Sequence, residues 1–98
     1  MTPTVDVLRR ARALLTAETW RGAPSENNRG RISLVVALSR GGYHLSDKDF
    51  ERVFFAAQDA LKRAAGCESI VDWNDTPGRT LAEVWGLIDR AVEEERKR

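Results

Sequence analysis

Apolar residues recur with helical spacing in three stretches of this chain, and each stretch carries its own start and stop signals. Val5, Leu8, Ala11 and Leu15 fall on one stripe, with Leu14 widening it and Glu18 as its polar member. The spacing predicts a first helix from about residue 4 to 20. Arg9, Arg10 and Arg12 lie off the stripe, toward solvent. Thr4 is the expected N-cap, Asp6 suits the positive end of the helix dipole, and Gly22 and Pro24 supply the stop. The strongest stripe is Phe50, Val53, Phe54, Ala57, Leu61 and Ala64, a helix over about 47–65 that Gly66 ends. Ser46-Asp47-Lys48-Asp49 opens it as a capping box in which Asp shortens the usual reach of Glu. The last helix, about 81–95, buries Leu81, Val84, Leu87, Ile88 and Ala91. Thr80-Leu81-Ala82-Glu83 opens it as a Thr-x-x-Glu capping box, worth about 1 kcal/mol. In its final turns Glu93 with Lys97, and Glu94 with Arg98, are spaced for ion pairs.

Two stretches do not follow this pattern. Residues 21–31 contain almost nothing to bury; Gly, Pro, Ser and Asn favour turns there, and the loop carries Arg21, Arg29 and Arg31. Residues 32–38, Ile-Ser-Leu-Val-Val-Ala-Leu, have the β-branched content and the length of a strand. The rest of the chain reads helical and offers a strand no partner, so the expectation is a short buried helix over about 32–40, closed by Gly41-Gly42. The whole is then an all-α, compact four-helix single domain.

The segment from Ile70 to Thr80 is the most tightly specified. Ser69-Ile70-Val71 is expected to be extended. Trp73 brings a large ring with one N–H donor to satisfy. Asn74 and Asp75 are set to accept backbone amides in Asx turns, and Pro77-Gly78 fits the centre of a type II turn. Arg79 is placed to pair with Asp75 across that turn, and Thr80 caps the last helix. Trp73, Asn74, Asp75, Arg79 and Thr80 together make a structural corner.

The pattern Ser-Ile-Val-x-Trp-Asn-Asp-x-Pro-Gly-Arg-Thr before an amphipathic helix resembles a family of small bacterial and phage proteins whose function is unknown. Trp20-Arg21-Gly22-Ala23 is similar to that family's Trp-x-x-Gly-Ala segment. Where family members have a Cys-x-x-Gly-Ala-Leu helix, this chain has Ser33-Leu34-Val35-Val36-Ala37-Leu38, with Ser33 at the Cys position and Val36 at the Gly. The resemblance implies an all-helical fold and a helix over residues 32–38. It implies no activity and no catalytic residue.

Charge narrows the classes of partner. The net charge of +1 gives no overall drive toward nucleic acid or membrane. The distribution is uneven: residues 1–45 hold seven arginines against three acids, and residues 46–98 hold nine bases against twelve. In a small helical domain such halves attract one another. Cys67 stands alone, which excludes an internal disulfide and a cysteine zinc site. The opening residues lack the basic and apolar regions of a signal peptide, and the longest apolar run outside a helical stripe, residues 34–38, is far short of the ~20 of a membrane span. The expected setting is cytoplasmic.

Catalytic chemistry finds little purchase. His44, the single histidine, lies in a Gly-rich turn near Ser39 and Ser46, without a Gly-x-Ser-x-Gly elbow. Glu68, Asp72 and Asp75 do not follow a calcium-loop pattern, and no glycine run ends in Lys-Ser/Thr. Residues 38–54 have the outline of a helix-turn-helix, but the second helix would present Asp47, Asp49 and Glu51 to a phosphate-lined groove. The reading is a non-enzymatic protein-binding or regulatory module without cofactor or metal, a monomer or homodimer. Its candidate interaction residues are Arg21, Arg29, Arg31 and Trp85, the last lying one position off the buried stripe. The alternative is a nucleic-acid-binding accessory protein using the arginines of the N-terminal half.

Overall fold

A computed structural model describes residues 2–22 and 30–98. Among them there are five helices and no strand: α1 (Pro3–Leu14), α2 (Leu34–Gly41), α3 (Asp47–Ala65), α4 (Ile70–Asn74) and α5 (Leu81–Arg96). The all-α reading therefore stands, with four long helices and one short helix that the sequence pattern did not announce.

The first helix is shorter than its stripe. Its N-cap is Thr2, whose hydroxyl accepts the Val5 amide, with Pro3 next to it in the first turn; Thr4 is already inside. It ends at Leu14 rather than Trp20. Threonine hydroxyls compete with the helical ladder here. Thr19 Oγ1 donates to the Leu14 carbonyl at 2.7 Å, and the Thr16 amide donates to Thr19 Oγ1 at 2.8 Å. Trp85 Nε1 takes the next carbonyl, Leu15, at 2.9 Å. The last turn is thus satisfied from outside the helix. Leu15 stays fully buried, whereas Glu18, assigned to the same stripe, turns to solvent. Trp20 then forms an isolated parallel bridge with Ile32, so Trp20 and Ile32 are pinned together; most of the expected 21–31 loop, residues 23–29, lies outside the described residues.

The 32–38 stretch is helical from Leu34 rather than from Ile32. Ile32 makes the bridge, and Ser33 caps α2 by accepting the Val36 amide. α2 lies directly on α1: a Cβ at Gly41 would come within 2.9 Å of the Val7 carbonyl oxygen. Only glycine permits that approach.

α3 starts at Ser46 and ends at Gly66 as the pattern predicts, with Gly66 in the left-handed conformation. The box at Ser46 is half formed: Asp49 N donates to the Ser46 hydroxyl, and the shorter Asp49 side chain meets that hydroxyl instead of the Ser46 amide. At Thr80 the reciprocal box is complete. In the final turns Lys97 pairs with Glu93 at 3.9 Å, but Arg98 pairs with Glu95, not with Glu94. Glu95 is only 16% exposed and also holds Arg63 at 2.7 Å, so it joins α5 to α3.

α1 packs against α2, α3 and α5, and α3 against α5. Leu8, Leu15, Leu34, Leu38, Leu61, Leu87 and Ile88 fill the space between them, essentially without exposure. Each such side chain contributes about 1.5–3 kcal/mol on burial. The charged halves do meet: Arg12 on α1 forms a two-point pair with Asp89 on α5 at 2.8 and 3.2 Å. Among the described residues no helix is long and apolar enough to cross a membrane.

Candidate functional site: the asparagine-tied corner and the surfaces around it

Of Ser69-Ile70-Val71 only Ser69 is extended; Ile70 and Val71 open α4. Ser69 caps α4 by accepting the Asp72 amide, and Ile70 drops into the core. This one turn of helix aims Asn74 inward. Asn74 is completely buried, and its side chain forms four hydrogen bonds. Oδ1 accepts Trp20 Nε1 at 2.9 Å and the Leu34 amide at 3.2 Å. Nδ2 donates to the Arg21 carbonyl and to Asp75 Oδ1, both at 2.9 Å. The orientation of the amide is fixed by its partners, because an indole N–H and a backbone N–H can only donate and a carbonyl can only accept. Asn74 is therefore no Asx turn. It ties the end of the Trp20 segment and the start of α2 to the corner, and a buried polar group so fully matched favours a single arrangement of chain.

The outer side of the corner is built differently. Thr76 to Arg79 closes as a turn, with Arg79 N donating to the Thr76 carbonyl at 3.0 Å and Gly78 at φ 84°, the geometry of type II. Arg79 does not pair with Asp75. The short turn carries it to the opposite side, where its guanidinium carbon stands 3.9 Å over the Trp73 ring. Its Nε donates to the Trp73 carbonyl and its Nη1 to Glu83 Oε2. The Glu83 carboxyl is held below its ordinary value, chiefly by the Thr80 backbone N–H it accepts; desolvation opposes this, and the Thr80 hydroxyl and Arg79 add to it. Asp75, freed from Arg79, caps the end of α4 and receives Asn74.

This corner sits well inside the span of one family model, which matches residues 1–94. The chain belongs to DUF6197, a family of unknown function. No curated protein and no solved structure matches the chain.

In this DUF6197 member the residues singled out as an interaction surface scatter. Arg29 lies outside the described residues. Arg21 contributes mainly backbone: its amide donates to the Ile32 carbonyl and its carbonyl accepts Asn74, while its buried Nε has no hydrogen-bond partner. Arg31 is exposed, and donates to the Ala17 carbonyl. Trp85 is half-buried: its indole N–H is used by Leu15, and Arg12 covers its ring at 5.3 Å. His44 sits 3.3 Å from Asp6 Oδ2, an oxygen it shares with Arg10. Among the described residues no group of three or more His, Cys, Asp or Glu is placed to hold a metal ion.

The apolar residues that do face solvent are others. Tyr43 is 70% exposed and Phe55 54%. Phe55 belongs to a run of rings along α3: Phe50 stacks on Phe54 at 5.4 Å, and Phe54 meets Phe55 at 5.5 Å. The Phe50 ring reaches back to Gly42, next to Tyr43, where a Cβ would lie 3.0 Å away. The signal for this ridge in the sequence was the doublet Phe54-Phe55. Adjacent helical positions are about 100° apart, so both cannot belong to one buried stripe.

Proposed function

We propose that this protein is a non-enzymatic binding module that docks on a protein partner through the aromatic ridge of α3 and the adjoining Tyr43. The observation that carries this reading is the exposure of Phe55, which meets Phe54, and of Tyr43, which follows the Gly42 that the Phe50 ring approaches. Aromatic residues are enriched in protein interfaces and dominate their energetics, because a rigid ring covers much area at little entropic cost. Charged residues border the ridge: Asp47, Lys48, Asp49, Glu51 and Arg52 are all exposed, the polar rim such a patch requires. The test is quantitative capture from source cells by the tagged protein and by its Tyr43→Ser/Phe55→Ser variant, followed by binding to the purified partner. The variant is expected to keep its circular dichroism melt and to lose at least about tenfold in affinity, 1.4 kcal/mol. Identical capture by both proteins would remove the reading.

A second reading, nucleic-acid binding, draws on an open groove of about 560 Å³ between the ends of α1 and α5, lined by Arg9, Arg96 and Arg98 with Glu95. Against it, Arg10 and Arg12 are engaged by carboxylates, and the first turn of α3 is acidic. Duplex binding would weaken steeply with salt. No mobility shift at low ionic strength removes it.

A further inference from the structure

We propose that the groove outside the corner is a docking site for an acidic peptide segment of a partner protein. This goes beyond the ridge on α3 and does not rest on it. The groove has a volume of about 380 Å³ and is walled by Trp73 and Arg79 from the corner, by Ala65 from the end of α3, and by Ala82, Gly86 and Arg90 of α5. The three α5 residues stand four apart, on one face of the helix.

Its charge is unbalanced. Glu83, also in the wall, is already paired with Arg79 and accepts the Thr80 amide. Arg90 is exposed and makes no ion pair or hydrogen bond among the described residues. Its Nη1 stands only 3.9 Å from where a Gly86 Cβ would be, so the guanidinium lies over the bare backbone of the groove. Two guanidinium groups thus face one satisfied carboxylate, and the chemistry they match is a further carboxylate, which arginine binds with paired N–H donors.

Gly86 supports the same occupant. It lies in the middle of α5 without a positive φ, and a Cβ there would meet nothing closer than Arg90. The fold therefore does not require glycine. A missing side chain does let an extended peptide approach the helix, with the Arg79 guanidinium stacked on Trp73 as its flat neighbour.

The experiment is a nitrogen-15 NMR titration of the full chain with acetyl-Glu-Glu-Glu-amide, with the triglutamine peptide as control. Shifts are expected at the Trp73 indole, Gly86 and Arg90 with the glutamate peptide alone. Arg90→Gln should weaken binding at least tenfold, and Gly86→Leu should abolish it, with both variants keeping the wild-type spectrum elsewhere. Three results would each overturn the proposal: no localised shifts at millimolar peptide, equal shifts with the glutamine peptide, or unchanged affinity in Arg90→Gln. None of them bears on the Tyr43/Phe55 comparison.

Discussion

Trp73 and Asn74 are neighbours in the chain, about 100° apart around α4, and meet different surroundings. Asn74 points into the protein, where all four of its hydrogen bonds are used and no surface remains. Trp73 packs on the edge of the core and stands half-buried under a guanidinium, in the wall of a groove. A step of one residue separates a structural tie from a side chain that lines a groove. The lesson is that this corner is not simply scaffold or site: its inner side holds the fold, and its outer side is left with unspent charge at Arg90.

That division can be broken at several points. The largest effect is expected from Asn74→Asp, which keeps the shape but puts a carboxylate oxygen against the Arg21 carbonyl and Asp75. An uncompensated buried charge costs about 3–5 kcal/mol, read as a drop in urea midpoint. A loss below about 1 kcal/mol would mean that the tie is dispensable. Asp75→Ala removes a charge-assisted partner of Asn74 but leaves Arg21 in place, so about 1.5 kcal/mol is expected in the same assay. Thr80→Ala should cost about 1 kcal/mol through the lost cap. Gly86→Ala should do the reverse and stabilise by about 0.5–1 kcal/mol, raising the melting temperature while narrowing the groove. A destabilised Gly86→Ala would show that the fold itself needs the glycine.

The smallest expected effect is in pH. Because the Glu83 carboxyl is held below its ordinary value of 4.5, the folded state binds its proton less readily than the unfolded chain does. Its contribution is complete above pH 4.5 and is lost as pH falls below that value. Acid titration of Glu83→Gln should show a shallower loss of stability in that window than wild type.

Much of the fold was legible because the local signals agreed. The α3 stripe, its Ser46 start and its Gly66 end all pointed to one helix, and the Thr80 box did the same for α5. The features that stayed hidden depended on distant partners. The stripe through Glu18 could not show that Thr16 and Thr19 would bond one another and that Trp85, 70 residues away, would take the Leu15 carbonyl. Asn74 read as a turn residue because its local chemistry allows one. Its real partners, Trp20 and Leu34, are 54 and 40 residues distant. The same limit applies to surfaces. Trp85 stood off the buried stripe but found Leu15 and Arg12, while Phe55 and Tyr43 found nothing to cover them.

The contrast between the two sides of the corner is tested most directly by hydrogen exchange at the tryptophan indoles, followed by NMR under native conditions. The Trp20 indole proton, bonded to an asparagine without solvent exposure, should exchange only with global unfolding, together with the Leu34 amide. The Trp73 indole proton should exchange much faster. If Trp20 exchanges as readily as Trp73 does, the inner side of the corner opens locally, and Asn74 does not tie the fold together.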